Sequence, residues 1–292
     1  MNEQNYSNVQ RAEVLAQALP YIRAYHGKTV VVKYGGNAMI SEELREQVME
    51  DIVLLSKVGV RVILVHGGGP EISVLMNRLG KKPVFVDGLR VTDQETVDIV
   101  QMVLAGKINK TLVNLIETKG GEAIGLSGMD GRLIQAKIRD QKYGYVGDVT
   151  NINPKPILDL LDQGYIPVIS TLGTDEEGNV YNINGDTAAG AIASALSAER
   201  LIMMTDITGV LYDRNDPESL IRELSVKQAL KMKEEGRING GMIPKILCCI
   251  AAINGGVEAS VIIDGRVPHA LLMEILTNEG AGTMIRPDGE DE

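Results

Sequence analysis

Two lysines in glycine-rich surroundings are the residues best suited to chemistry on a phosphate group. Lys33 lies inside the apolar run Val-Val-Val-Lys-Tyr and precedes Gly35–Gly36. A charged side chain within an apolar strand costs free energy unless it is paired, which favours a functional Lys33 over one that only reaches solvent. Lys245 follows Gly240–Gly241 at the start of an apolar stretch, where a solvated lysine on a helix face is an equally good explanation. Lys33 therefore predicts an anion site, and Lys245 is a second candidate for it.

A second glycine turn, His66–Pro70, follows another apolar run and opens a helical segment. Backbone N–H groups of such a turn form an anion site with the helix dipole, although glycines at strand ends also occur simply because the chain turns there. Two familiar phosphate motifs do not match. Gly27–Thr29 has the end of a P-loop, but Ile22 replaces its first glycine, and Ile72 replaces the third glycine of the dinucleotide-binding fingerprint.

Polar residues in two further segments suit a carboxylate or phosphate ligand. Arg90 lies just before a long helical pattern, and its fork-shaped guanidinium matches either group. Asn182, Asn184 and Asp186 alternate along an extended segment, so their side chains should point the same way. The alternative is that Asp186 is an ordinary helix N-cap among turn asparagines.

Short apolar runs that alternate with helical patterns predict an α/β fold with a mainly parallel sheet covered on both faces. Ligands of such sheets bind beyond the carboxyl ends of the strands, where both glycine turns fall. Residues 123–152 differ, because they read as an array of β-hairpins. The predicted strands are 29–34, 61–66, 166–170, 200–205 and 259–263, and the predicted helices are 41–55, 70–79, 93–119, 156–163, 186–196, 226–235, 242–253 and 270–276.

The composition excludes some classes of protein. The 292 residues include 29 Lys and Arg and 39 Asp and Glu. The resulting net charge of −10 argues against binding nucleic acid or an anionic membrane. No apolar run approaches the ~20 residues of a membrane span. Cys248 and Cys249 are neighbours in an apolar run and make no disulfide framework, so a cytoplasmic location is expected. The spacing of histidines and cysteines predicts no protein-bound metal.

Six motifs, in their order along the chain, resemble those of the amino-acid kinase family. They are residues 31–36, 66–70, 88–93, 182–186, 205–211 and 240–245, and the resemblance covers about residues 27–285. It implies one αβα sandwich, in which residues 28–180 form a lobe for the amino-acid substrate and residues 181–292 form a lobe for ATP. The hairpin array would be a substrate lid, a moving part with few apolar contacts.

The resemblance also implies the reaction: transfer of the ATP γ-phosphoryl group to the side-chain carboxylate of N-acetyl-L-glutamate, the second step of arginine biosynthesis. Mg²⁺ would arrive on the ATP phosphates. Lys33 and Lys245 would neutralise the transferring group, with Asp186 organising the two lysines. Glutamate 5-kinase and carbamate kinase activity remain alternatives, although Arg90 and Asn182 favour an amino-acid carboxylate over carbamate. A non-catalytic arginine or nucleotide sensor is an alternative from another class.

By the same resemblance, three groups of residues bind ligands. Acetylglutamate would contact Gly68, Gly69, Arg90 and Asn182. The transferring phosphoryl group would accept hydrogen bonds from the N–H groups of Gly36 and Gly69. The nucleotide would contact Asp206, Ile207, Thr208, Gly209, Val210, Leu211, Arg237, Ile238 and Asn239.

Residues 1–27 predict an amphipathic helix that Pro20 kinks near Ala16. Its apolar stripe comprises Val14, Leu15, Ala18, Leu19, Ile22 and Tyr25. Packing on its own lobe is one explanation for this stripe. In the arginine-inhibited members of the family, such helices interlace dimers into a hexamer, which implies a trimer of dimers inhibited by L-arginine. The C-terminal region resembles those members too, and implies an arginine site with His269, Glu274 and Gly282. Some members bind a PII-type signalling protein, which makes such a protein a candidate partner.

Overall fold

A mixed eight-stranded sheet forms the centre of the computed structural model, which describes residues 7–39, 41–213 and 216–289. The strands along the chain are β1 (Thr29–Tyr34), β2 (Arg61–His66), β3 (Phe85–Val86), β4 (Leu89–Arg90), β5 (Ala123–Ser127), β6 (Ile134–Ile138), β7 (Val146–Ile152), β8 (Ile166–Ser170), β9 (Leu172–Thr174), β10 (Val180–Ile183), β11 (Arg200–Thr205), β12 (Glu223–Ser225), β13 (Ala259–Asp264) and β14 (Gly282–Arg286). The central sheet has the order β12-β14-β13-β11-β1-β2-β8-β5. Within this central sheet, as far as the described strands show, only β13 and β14 pair antiparallel, which confirms a mainly parallel sheet.

Helices cover both faces of this sheet. They are α1 (Asn8–Gln17), α2 (Leu19–Tyr25), α3 (Glu42–Lys57), α4 (Gly69–Arg78), α5 (Gln94–Gln101), α6 (Asn109–Thr118), α7 (Lys155–Asp162), α8 (Gly185–Ala195), α9 (Val226–Glu234), α10 (Met242–Asn254) and α11 (Ala270–Leu276). Along β1, Val31 packs into the core beneath α8 and α10, whereas Val30 and Val32 pack into the core beneath α3 and α11. Alternate side chains of one strand therefore enter two cores, as an αβα sandwich requires.

The segment predicted as a hairpin array divides between two sheets. Strand β5 pairs parallel with β8 at the edge of the central sheet, so its assignment to the array was wrong. Strands β6 and β7 form an antiparallel hairpin that closes a small barrel with β9 and β10. Few apolar contacts were expected here, but Ile134, Ile152 and Tyr181 are buried in the core beneath α8. The barrel is therefore a packed extension of the sandwich.

The helix predicted over residues 93–119 contains a π-helical segment, Met102–Ile108, between α5 and α6. Its buried side chains recur every fourth residue, and each such step overshoots a full turn of α-helix by about 40°. The wider π-helical turn offsets this drift, so one side of the helix keeps facing the core. The repeated positions are Val100, Leu104, Ile108, Leu112 and Ile116.

Among the described residues, the tract Gln94–Thr118 is the one helix long and apolar enough, by length and composition, to cross a membrane. No apolar run of that length was expected from the sequence, and the tract does carry the charged residues Asp98, Lys107 and Lys110. In the structure 44% of its most apolar window is buried inside the protein. Val100, Leu104 and Ile108 of this tract lie in the core beneath α3, so the tract is a core helix of the sandwich.

The N-terminal helix is interrupted at Ala18, two residues before Pro20. This interruption divides it into α1 and α2. Helix α1 buries no residue within its own chain, so packing on its own lobe does not explain the part of the apolar stripe that lies in α1. Val14 is 59% exposed and Leu15 is 75% exposed. Helix α2 lies against α11. Residues 1–6 of the predicted extension lie outside the described residues.

Candidate active site

Lys33 and Lys245 meet at a single carboxylate. Lys33 Nζ lies 2.9 Å from Asp186 Oδ1, and Lys245 Nζ lies 2.9 Å from Asp186 Oδ2. Lys33 comes from the end of β1, Lys245 from the first turns of α10, and Asp186 from the first turn of α8. Two cations thus share one anion, which leaves a local excess of positive charge beside the carboxyl ends of the central strands.

Asp186 is ionised in this arrangement. Burial of the carboxyl group raises its pKa, but the charges of Lys33 and Lys245 and their hydrogen bonds outweigh burial, so that the pKa of Asp186 falls below its usual value. All three side chains are less than one fifth exposed. An ionised Asp186 cannot donate a proton and is poorly suited to accept one at neutral pH, so in this structure it is the counter-ion of the two lysines.

Gly35 makes room for the Lys33 side chain. A Cβ atom at Gly35 would lie 2.7 Å from Lys33 Nζ and 3.1 Å from its Cε. A Cβ at Gly185 would lie 3.4 Å from the same Cε. The lysine therefore folds back over its own glycine turn and reaches the start of α8.

The glycine turn after β2 presents free backbone donors. Among the described residues, the N–H groups of Gly68 and Gly69 have no acceptor. They stand at the N-terminus of α4, where the helix dipole favours an anion. Apart from adjacent residues and nearby backbone of the same helix, no atom of the described residues lies within 4 Å of the place a Cβ would take at Gly69 or at Gly36, so a ligand can approach both backbones closely.

A cavity of about 160 Å³ opens beside this turn. It brings together all four residues predicted to bind the substrate: Gly68, Gly69, Arg90 and Asn182. Gly185, which contacts the Lys33 side chain, lines the same cavity. The cavity therefore adjoins the two-lysine centre.

Arg90 is a buried cation without an acidic partner among the described residues. The residue is 6% exposed. Its Nη2 donates to the carbonyl oxygen of Gly69 and to Ser73 Oγ, each at 2.8 Å, and its guanidinium lies 4.7 Å from the centre of the Phe85 ring. Burial lowers the pKa of Arg90, although a guanidinium stays charged at neutral pH. A buried charge of this kind calls for an anionic ligand.

Asn182 and Asn184 have different roles. Asn182 Nδ2 lies 3.4 Å from Thr92 Oγ1, and the residue belongs to the barrel strand β10. Asn184, and not Asp186, is the N-cap of α8, because its Oδ1 accepts hydrogen bonds from the N–H groups of Asp186 and Thr187 at 3.0 and 3.1 Å. This cap fixes the helix end that carries Asp186.

Sequence reasoning missed Phe85 and Ser73 as part of this site. Phe85 pairs with Arg90 across the two-stranded β3–β4 ribbon, and Ser73 lies one turn into α4. One signal was available for Phe85, because the sequence has a single Phe and it lies five residues before the predicted anion-binding arginine. Nothing comparable marks Ser73.

A second cavity, of about 290 Å³, lies between the loop after β11 and the start of α10. Met242 lines it and lies one turn before Lys245 on α10, so the cavity also adjoins the two-lysine centre. Asp206 and Thr208, predicted for the nucleotide, are not among the lining residues. Of the nine predicted residues the cavity brings together Ile207, Gly209, Val210, Leu211, Arg237, Ile238 and Asn239.

A third cavity, of about 220 Å³, lies between α2, α11 and β14. Glu274 and Gly282, predicted for an arginine site, line it, together with Tyr21 and Tyr25 of α2. His269 does not line it, because its Nδ1 lies 2.6 Å from Asp51 Oδ1 instead. Burial raises the pKa of Glu274, and the hydrogen bond from the Ala281 N–H opposes that rise.

No group of three or more His, Cys, Asp and Glu side chains among the described residues has the arrangement of a metal site. Cys248 and Cys249 are both free thiols. The described part of the chain thus offers cations and backbone donors at its centre, which suits anionic reactants.

The chain belongs to the amino acid kinase family, whose model matches residues 28–264. It is similar to two proteins named acetylglutamate kinase. The one from Clostridium beijerinckii is 56% identical over 282 residues, covering 96% of this chain and 99% of that protein. The one from a Synechococcus species is 54% identical over 279 residues, covering 95% of this chain and 94% of that protein.

Solved structures show the same fold. N-acetylglutamate synthase from Neisseria gonorrhoeae, complexed with coenzyme A and N-acetyl-glutamate, superposes with a TM-score of 0.82 at 26% identity over 97% of this chain. This chain spans 64% of that synthase. Carbamate kinase from Giardia lamblia bound to AMP-PNP, at 17% identity and a TM-score of 0.64 over 90% of this chain, shares the fold alone.

Proposed function

We propose that the chain catalyses the ATP-dependent phosphorylation of the side-chain carboxylate of N-acetyl-L-glutamate, the second step of arginine biosynthesis. The observation that carries this proposal is the Lys33–Asp186–Lys245 centre between two cavities, one with the unpaired Arg90 and one lined by the loop after β11. The relatives named acetylglutamate kinase, 54% and 56% identical, support the same substrate.

The reaction is an in-line transfer. A carboxylate oxygen of acetylglutamate attacks the γ-phosphorus of ATP, a new O–P bond forms, and the bond to the β,γ-bridging oxygen breaks, so that its electron pair leaves with ADP. Lys33 and Lys245 neutralise charge on the transferring group, and Asp186 holds them apart and in position. The acceptor carboxylate is ionised at neutral pH, so no general base is needed.

Charge in the first cavity supports an acylated amino acid. Arg90 is placed to bind an α-carboxylate, with Gly69 and Asn182 beside it. No Asp or Glu among the described residues lines the cavity, so the ammonium group of free glutamate would have no carboxylate to pair with there. Acetylation removes that cation. Carbamate has no second carboxylate and would leave Arg90 unpaired.

In this proposal ATP occupies the second cavity, carries Mg²⁺ on its phosphates, and places its γ-phosphoryl group between the lysines. Residues 28–180 then form the acetylglutamate lobe and residues 181–292 the ATP lobe. Gly36 and Gly69 donate their N–H groups to the phosphoryl oxygens, which the open space at both glycines supports. The enzyme would work in the cytoplasm, where ATP is available and both cysteines stay reduced.

A coupled assay of ADP release tests this function. Acetylglutamate, glutamate, carbamate, aspartate and UMP are offered separately to the full chain with ATP and Mg²⁺. ADP release that depends on acetylglutamate supports the proposal. Preference for carbamate, glutamate or another acceptor would replace it with a different kinase activity, and release with none of them would favour a non-catalytic sensor.

We also propose that L-arginine inhibits the enzyme from the third cavity and that six chains assemble as a trimer of dimers through α1. The exposed apolar stripe of α1 supports the assembly, and the contact of α2 with that cavity supports a link between assembly and inhibition. Glu274 and Gly282 would contact arginine from α11 and β14. His269 would join them only if its contact with Asp51 is released. A PII-type protein remains a candidate partner.

A further inference from the structure

His66 is fully buried at the end of β2 and immediately precedes the glycine turn. Both ring nitrogens have partners. Nδ1 lies 3.0 Å from the carbonyl oxygen of Gly67, and Nε2 lies 3.2 Å from Nδ2 of Asn109, the first residue of α6. The imidazole therefore connects the turn that lines the first cavity with the helix behind it.

The surroundings of Asn109 determine which ring nitrogen carries the proton. Asn109 Nδ2 donates to the carbonyl oxygens of Val168 at 2.9 Å and Leu126 at 3.1 Å. Both of these groups can only accept, so the amide nitrogen, not the amide oxygen, must face them and His66. The amide nitrogen has two hydrogens and three acceptors around it, so one N–H is shared between a carbonyl oxygen and His66 Nε2. Because an amide nitrogen cannot accept a hydrogen bond, Nε2 stays unprotonated, and Nδ1 carries the proton and donates it to the Gly67 carbonyl oxygen.

His66 also stays neutral. Burial lowers its pKa to about 4, because the charged imidazolium would be desolvated, and the charge of nearby Lys110 lowers it further. The hydrogen bond to Gly67 opposes these effects only in part. A neutral ring with one fixed tautomer is a directional donor to a single carbonyl group.

That carbonyl group determines where the next N–H points. In a trans peptide the C=O and N–H bonds are antiparallel, and there is no cis peptide among the described residues. With the Gly67 oxygen directed at His66, the Gly68 N–H points the opposite way. Gly68 lines the first cavity, and its N–H has no acceptor among the described residues.

The π-helical segment Met102–Ile108, which continues into α6, also restricts Gly68 by packing. A Cβ at Gly68 would lie 2.2 Å from Ile108 Cδ1 and 2.7 Å from Leu104 Cδ2, both in the π-helical segment that precedes Asn109. The segment therefore leaves room for a glycine backbone and nothing larger, while Asn109 holds the imidazole. Packing and hydrogen bonding from one helix thus restrict a single peptide group.

We infer that His66 and Asn109 are positioning residues for the substrate: Asn109 fixes the Nδ1–H tautomer of His66, and His66 turns the Gly67–Gly68 peptide so that its N–H faces the bound acetylglutamate. This inference rests on the proposed function for the identity of the ligand. Neither residue lines the first cavity, so both act through Gly68.

A matched pair of variants separates this role from general stability. The amide nitrogen of Asn reaches about as far as Nδ1 of His, and that of Gln about as far as Nε2. We expect His66→Asn to keep kcat/KM for acetylglutamate within about threefold of the wild type, and His66→Gln to lower it about tenfold or more, with a smaller change for ATP. Melting temperatures of the two variants serve as the control for folding.

Equal losses in both variants for both substrates, in proportion to a fall in melting temperature, would overturn the positioning role. If His66→Gln fails to fold, Asn109→Ser takes its place, because the shorter side chain cannot reach Nε2. Its acetylglutamate KM should then rise more than its ATP KM. An unchanged ratio of the two KM values would contradict the inference.

Nuclear magnetic resonance of the ¹⁵N-labelled imidazoles tests the tautomer without any activity. The chain has three histidines, and the spectrum of His66→Asn identifies His66 by the missing signal. We expect a protonated Nδ1 and an unprotonated Nε2, unchanged between about pH 6 and 8. A protonated Nε2, or titration within that range, would overturn the inference. A wild-type chain that phosphorylates no acceptor overturns the proposed function, while this spectrum still decides the tautomer.

Discussion

Lys245 Nζ donates to Asp186 Oδ2 at 2.9 Å, although 59 residues separate the two in the sequence. The first turns of α10 and α8 meet at this contact, and Lys33 occupies the other carboxylate oxygen. One anion therefore holds two cations where phosphoryl transfer would need them. The arrangement makes the roles of the three side chains separable by mutation.

We predict that Lys245→Ala lowers kcat by about 10²–10³-fold, because the lost ammonium group stabilises charge on the transferring phosphoryl group. The KM for acetylglutamate should change little, since Lys245 does not line the first cavity. Steady-state kinetics measure both values. Lys155→Ala, which removes a lysine 75% exposed on α7, is the control and should behave as wild type. An unchanged kcat in Lys245→Ala would remove it from the chemistry.

Arg90→Ala should raise the KM for acetylglutamate about 10–100-fold and change kcat much less, because a buried charge-assisted hydrogen bond to the substrate is lost. The KM for ATP should stay near the wild-type value. Arg61→Ala is the matched control, since Arg61 begins β2 at the opposite end from the glycine turn. A normal acetylglutamate KM in Arg90→Ala would show that the guanidinium serves another purpose.

The two glycine turns and Lys33 could be predicted from the sequence because their physical causes are local. A β-branched run between Gly27 and Gly35 defines β1 to the residue, and a lysine inside it stands out. Lys245 could not be assigned in the same way, because its partner Asp186 comes from a distant helix. The residues around Arg90 depend in the same way on packing between separate elements, which local patterns do not encode.

The incorrect assignments also have physical reasons. Strand β5, Ala-Ile-Gly-Leu-Ser, carries a glycine in its middle and reads as part of a hairpin, but Gly125 leaves space for Asn109 and Lys110 of α6. A Cβ there would lie 1.9 Å from Asn109 Oδ1. The π-helical segment was missed because the every-fourth-residue repeat of apolar positions resembles the three- and four-residue spacings of an ordinary α-helix. In both cases a neighbouring element in the fold decides the local structure.

If the chain forms the proposed hexamer, removing residues 1–26 should give dimers and weaken the proposed inhibition by arginine, because α1 would supply the contacts between dimers and α2 lines the third cavity. Light scattering measures the mass, and the ADP-release assay with added arginine measures inhibition. Leu15→Glu, which places a charge on the apolar stripe, should also give dimers, whereas Gln17→Glu on the same helix should not. A hexamer that survives the truncation would contradict this arrangement.

Asp93 should stabilise the start of α5. Its carboxylate accepts hydrogen bonds from Lys81 Nζ at 2.7 Å and from the Thr96 N–H at 2.8 Å, and these contacts lower its pKa to about 2. Because the folded-state pKa lies below the unfolded value, the stabilisation is complete above about pH 4 and is lost as the pH falls towards 2.

Thermal unfolding can separate the two contributions of Asp93. Asp93→Ala should lose about 1 kcal/mol of helix capping at pH 7, whereas Asp93→Asn keeps the cap and loses only the charge. The difference in melting temperature between wild type and Asp93→Asn should shrink as the pH is lowered from 4 to 2. A constant difference over that range would show that the carboxylate charge does not contribute.

The most direct measurement of the central claim is capture of the product. An acyl phosphate reacts with hydroxylamine, so the full chain, ATP, Mg²⁺ and acetylglutamate should yield a hydroxamate in step with ADP. Mass spectrometry should identify it as the side-chain hydroxamate of N-acetylglutamate, and Lys245→Ala should form it far more slowly. ADP released without hydroxamate, or hydroxamate formed from glutamate in preference to its acetylated form, would contradict the claim.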